Sequence, residues 1–162
     1  MTATAPPTPA TPPATPPQGC TCARLRRLTR RITAVYDREL AAAGLRVTQF
    51  SLLAQLRGQG GESGIPVSDL AARMDMDRTT LTRNLKPLIA RGWAALQGDA
   101  TDGRVRRASI TREGQAALAA ARPHWRRAQD EINGTLGATT VAALHQWLDA
   151  VTPAFRPEGV DA

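Results

Sequence analysis

The 162-residue chain has two cysteines, Cys20 and Cys22, and a single lysine, Lys86. Cysteines two positions apart cannot build a disulfide framework. With His124 and His145 as the only histidines, the three or four suitably spaced ligands of a metal site are missing. No metal and no cofactor are expected. No run of about 18 apolar residues exists, so no helix should span a membrane. Residues 1–19 lack the basic and apolar regions of a secretory signal, which points to a reducing, cytoplasmic location. Paired carboxylates and a nucleophile–base motif are also missing, which argues against an enzyme.

What the chain does have is arginine. Lys plus Arg number 21 against 14 Asp plus Glu, a formal net charge of +7 and a pI near 11.1. That balance favours a polyanionic partner, and the planar guanidinium fork suits phosphate and guanine. The length fits one domain with a tail. Residues 1–19 hold seven prolines among Thr and Ala and are expected to stay disordered.

From Thr21 to Ala43 the apolar residues Cys22, Leu25, Leu28, Ile32, Val35 and Leu40 recur at helical spacing, and Gly44 stops the run. A second helix reads from Val47, with Thr48 as its N-cap and Phe50, Leu53 and Leu56 as its apolar side. Residues 57–64 form a glycine-rich connection that lacks the features of a phosphate-binding loop. Two short helices follow. One has Ser68 as N-cap; the other has Asp77 as N-cap and Leu81, Leu85, Leu88 and Ile89 as its stripe. About three residues separate them, the spacing of a helix-turn-helix. Residues 93–110 alternate weakly around an Asp102–Gly103 turn signal and read as a β-hairpin. Thr111 caps a helix to about Asn133 that Pro123 should kink. A last helix runs from about Thr139 to Phe155.

Removing the apolar stripe from the second helix of the pair leaves Arg78, Thr79, Thr80, Thr82, Arg83 and Lys86. Short hydroxyls and long cations on one face suit a DNA major groove. Arg104, Arg106 and Arg107 crowd the hairpin, and Asp102 can pair with one of them and orient it. A helix-turn-helix followed by a basic hairpin is a winged helix, with the hairpin reaching backbone or minor groove. Ser68 on the preceding helix joins the candidate contacts. An interaction module without DNA would have little use for such a wing.

The stretches LRVTQFSLL (Leu45–Leu53), VSDLAARMDMDRTTLTRNLKPLIARGW (Val67–Trp93) and DGRVRRASITREG (Asp102–Gly114) resemble the MarR family of bacterial winged-helix regulators. The resemblance spans about Leu25 to Phe155. It implies a mainly α fold with a small β-hairpin wing: a winged helix-turn-helix at 47–110, a helical dimerisation region at 20–46 and 111–156, and a short tail at 157–162. It further implies a homodimeric repressor in the bacterial cytoplasm that binds a pseudo-palindromic double-stranded operator. A small aromatic or anionic effector would release it. Arg26, Arg30, Tyr36 and Phe50 are the candidate effector residues, cations for a carboxylate and rings for stacking. An alternative is oxidant sensing. The peroxide-sensing branch carries a reactive cysteine fourteen residues before a tyrosine, as Cys22 stands to Tyr36, although its second tyrosine is replaced here by Arg26.

Overall fold

The computed structural model describes residues 18–59 and 64–155. The sequence expectations for residues 1–17, 60–63 and 156–162 lie outside that range. Helix α1 spans Thr21–Leu40 and continues through a 3-10 turn, Ala41–Ala43, to Gly44. Gly44 adopts the left-handed φ of 67° that closes the turn. Helix α2 follows at Val47–Gln59, strand β1 at Ile65–Pro66, helix α3 at Val67–Arg73 and helix α4 at Arg78–Ala90. Strands β2 (Ala94–Gly98) and β3 (Arg106–Ile110) precede the long helices α5 (Arg112–Leu136) and α6 (Ala138–Val151).

The core forms where α2, α3 and α4 meet the sheet and the first half of α5. Leu52, Leu53, Leu70, Leu81, Leu85, Leu88 and Leu118 are fully buried there. Each such leucine contributes about 1.5–3 kcal/mol by leaving water. Leu81, Leu85 and Leu88 form the expected i, i+4, i+7 stripe of α4. Helix α2 is more enclosed than its expected single apolar side, because Leu52 is buried along with Phe50, Leu53 and Leu56. Helix α1 lies along α5, where Tyr36 O–H donates to Gln129 Oε1 at 2.7 Å and Arg127 Nε donates to Glu39 Oε2 at 3.2 Å.

Two expected caps are corrected, and the expected hairpin forms with a third strand beside it. The hairpin is part of a three-stranded antiparallel sheet ordered β1-β3-β2, with Ile65 opposite Ala108 and Leu96 on its other side. Thr48 does not cap α2: the helix starts one residue earlier, and Asp37 Oδ1, from α1, accepts from Val47 N–H at 2.8 Å. Ser68 does not cap α3. The helix leaves β1 directly from Pro66, burial of Val67 draws residue 67 into its first turn, and the Ser68 hydroxyl donates to Asp69 Oδ1 at 3.0 Å. The caps at Asp77 and Thr111 are as expected: Asp77 Oδ1 accepts from Thr80 N–H, and Thr111 Oγ1 accepts from Gly114 N–H. Pro123 sits inside α5, which is helical on both sides of it.

Candidate nucleic-acid interface

Helix α4 presents its polar face because leucines hold the other face down. Between α3 and α4 the chain turns at Asp75, a non-glycine residue at φ 47°, which a short polar side chain tolerates. The Asp77 carboxylate accepts from Thr80 N–H at 2.8 Å and from Thr80 Oγ1–H at 2.6 Å. These bonds hold its pKa below the usual carboxylate value, the side-chain bond contributing most. The Thr82 hydroxyl donates to Arg78 O at 2.8 Å. Two of the three threonine hydroxyls are thus tied to their own helix. Arg78, Thr79, Arg83 and Lys86 are exposed, and their side chains have no partner among the described residues.

The wing is organised by a residue that the sequence reading passed over. Asp99 Oδ1 accepts from Thr101 N–H (2.8 Å), Thr101 Oγ1–H (2.6 Å) and Asp102 N–H (3.2 Å). Its Oδ2 forms an ion pair with Arg107 Nε, and Arg107 Nη1 donates to Gly64 O at 3.0 Å. The Thr101 hydroxyl and then Arg107 hold the Asp99 carboxyl far below the ordinary carboxylate pKa. Asp102, expected to orient an arginine side chain, instead accepts from the Arg104 backbone N–H at 2.9 Å. Arg107 is turned into the base of the wing, whereas Arg104 and Arg106 are exposed. An alternating pattern marks Arg107 as inward only once the register is known: it pairs with Gln97 on one side and Pro66 on the other. The bend at Asp99–Thr101 was the available signal for Asp99, an Asx turn followed by a hydroxyl.

The MarR family profile matches residues 43–105. A crystal structure of the M. tuberculosis transcriptional regulator MosR in complex with DNA is 37% identical, with a TM-score of 0.67 over 82% of this chain and 98% of that one. The chain belongs to the MarR family. It is a MarR-type DNA-binding transcriptional regulator with the winged-helix fold. Two more distant structures share that fold. A cysteine mutant of E. coli MarR complexed with operator DNA is 23% identical, with a TM-score of 0.71 over 80% of this chain and 91% of that one. Bordetella bronchiseptica BpsR, described in terms of regulation of its DNA binding by 6-hydroxynicotinic acid, is 22% identical, with a TM-score of 0.72 over 82% and 93%. No curated protein matches the chain. Among the described residues of this MarR protein, no helix is long and apolar enough to cross a membrane.

The four candidate effector residues do not converge. Phe50 and Tyr36 both stack on Trp125, with centroids 5.8 Å and 6.5 Å away. Burial raises the Tyr36 pKa. Arg26 and Arg30 stand exposed on the free half of α1, and Arg30 lines a hollow with Cys20, Ala23, Arg24 and Arg27 instead. The cations beside Phe50 are Arg57, Arg122 and Arg126, which with Trp125 and Leu118 line an open cleft of about 510 Å³ between α2 and α5. The i, i+4 pair Arg122 and Arg126 around Trp125 was legible as one face of a helix. Its partner on α2 was not. Cys20 and Cys22 are free and exposed. Cys22 lies about 21 Å along α1 from Tyr36, fourteen residues at the helical rise, so the two do not meet within one chain.

Proposed function

We propose that this MarR protein is a homodimeric repressor of a pseudo-palindromic operator. Residues 47–110 bind DNA, and residues 20–46 and 111–156 form the dimer. The observation that carries this reading is the pairing of the exposed, unpartnered Arg78, Thr79, Arg83 and Lys86 side chains on α4 with the exposed Arg104 and Arg106 on the adjoining wing. Thr79 and Arg83 read base edges in the major groove. Arg78, Lys86 and Ser68 hold phosphates, and the methyl groups of Thr80 and Thr82 suit thymine methyls. Arg104 and Arg106 reach backbone or minor groove beside it. The DNA-bound relative at 37% identity supports the same use of the fold.

The dimer reading rests on uncovered apolar surface. Residues 21–30 of α1 are exposed throughout; Leu25 and Leu28 are 41% exposed, Trp147 50% and Phe155 82%. A second copy would bury this surface and place two α4 helices on one face of the duplex.

The effector is a small aromatic anion. Its ring stacks at Phe50 and Trp125, and its acid group meets Arg57, Arg122 or Arg126. The regulation of BpsR by an aromatic acid favours the same class here. Such a ligand releases DNA to the extent that it binds the released state more tightly. Titrating the protein onto labelled duplex at several salt concentrations tests the reading. Arg104→Ala should lower affinity on all sequences and reduce the log–log salt slope by about 0.9 per wing. An unchanged slope removes the wing from the interface.

A second reading, oxidant sensing at Cys22, is favoured by the exposure of its free thiol. Mild peroxide should then modify Cys22 and weaken DNA binding. Unmodified Cys22 with unchanged binding refutes it.

A further inference from the structure

We infer that Asp99 is a positioning residue for DNA binding: by clamping Arg107 against the β1 end, it holds the wing loop so that Arg104 faces the duplex. This rests on the wing reading above. Asp99 is only 12% exposed at its side chain, and both of its oxygens are engaged. One oxygen gathers the N–H groups at the start of the loop. The other takes Arg107 Nε, from the strand that leaves the loop. Arg107 passes the restraint on to Gly64 O, immediately before β1. Gly64 can come so close because it lacks a side chain: a Cβ there would lie 2.8 Å from Ala108 O, and its φ is +68°. The two ends of the loop are further joined by Asp99 N–H to Val105 O at 2.9 Å. Without these ties, a seven-residue loop bearing Arg104 would sample many orientations, and DNA would have to select one.

The inference makes a prediction whose sign separates it from charge alone. Asp99→Asn removes a negative charge beside a polyanion. If charge were all that mattered, affinity would rise and the salt slope would steepen. If Asp99 positions the wing, affinity falls, because Arg104 spends less time on its phosphate. The expected loss approaches that of one phosphate contact per wing. That is a slope reduction of about 0.9, which extrapolated from 1 M to 0.15 M salt is about fivefold per wing.

Arg107→Gln breaks the same clamp from its other side and serves as the second variant. A clamp requires both substitutions to weaken binding. Independent action of Arg107 on DNA and Asp99 against it requires opposite signs. The experiment measures salt-dependent affinity of the full chain for wild type, Asp99→Asn, Arg107→Gln, Arg104→Ala and the Asp99→Asn/Arg104→Ala double variant. A thermal melt of each confirms folding. The double variant should bind like Arg104→Ala alone. Additive losses, or Asp99→Asn binding as tightly as wild type while Arg104→Ala is weak, overturn the positioning role and leave the wing reading standing. If Arg104→Ala itself binds like wild type, the wing reading falls and the inference falls with it.

Discussion

Replacing Gly114 by alanine should destabilise the protein, although glycine-to-alanine changes inside helices normally stabilise it by about 0.5–1 kcal/mol. Gly114 lies in the first turn of α5 and is buried against the start of β2. A Cβ there would sit 2.0 Å from Trp93 O, 2.8 Å from Trp93 C and 3.0 Å from Ile110 Cγ1. The nearest obstacle is backbone, and it must retreat from 2.0 Å toward the 3.4 Å of ordinary contact. The same carbonyl accepts from Thr111 N–H at 3.2 Å, so the retreat strains the junction that seats α5 on the sheet. Overpacking of this kind costs about 3 kcal/mol at its upper end, and the helix-propensity gain returns about 1. A net loss of about 2 kcal/mol corresponds to a fall in Tm of roughly 4–8 °C. Gly134, in the same helix, has nothing within 4 Å of its Cβ position. Gly134→Ala should therefore raise Tm slightly. Thermal unfolding followed by helical circular dichroism, at one fixed protein concentration, measures both. A Gly114→Ala protein as stable as wild type would refute the close-approach argument.

Three further outcomes are expected. Trp147→Asp places a charge on the exposed apolar face of α6 and should shift the sedimenting species toward monomer; an unchanged dimer would exclude that face from the interface. Trp125→Leu should abolish ring stacking at the cleft and weaken binding of an aromatic acid such as salicylate, read by isothermal titration, while salt-dependent DNA affinity without ligand stays near wild type; unaltered ligand affinity moves the effector elsewhere. Glu39, held down chiefly by its bond from Arg127, and Asp77 and Asp99 all have depressed pKa values. A depressed carboxyl pKa adds stability that is present above the unfolded value of about 4 and is lost as pH falls through the folded value. Urea midpoints should hold between pH 6 and 8 as far as these groups are concerned and drop below about pH 4. Asp99→Asn should shallow that acid limb, and a limb of unchanged steepness would contradict it.

Much of the fold was legible because its signals are local. The leucine stripe of α4, the caps at Asp77 and Thr111, and the stop at Gly44 each lie within a turn or two of the feature they control. Strand β1 was not legible, since two residues carry no period and its partner Ala108 lies more than forty positions on. Thr48 and Ser68 looked like caps because the local rule cannot see Asp37, ten residues before α2, or the pull of buried Val67. The candidate DNA contacts were legible only as a set of residue types. The structure divides that set into exposed side chains with no partner among the described residues, Arg78, Thr79, Arg83, Lys86, Arg104 and Arg106, and side chains bonded within the chain, Ser68, Thr80, Thr82 and Arg107. The cleft beside Phe50 was not legible, because two of its three arginines lie on another helix, far from Phe50 and Tyr36 in sequence. Its cations come from α2 and from α5, some seventy residues apart.

The central claim is that two copies of this chain read one duplex with paired α4 helices. Selection of bound sequences from a random duplex library, at physiological salt, tests it most directly. The expected result is an inverted repeat with half-site centres about one helical turn, 10–10.5 base pairs, apart. Thr79→Ala or Arg83→Ala should relax choice at matching positions in both halves. Recovery of sequences with no symmetry, or of no preferred sequence at all, would contradict the account.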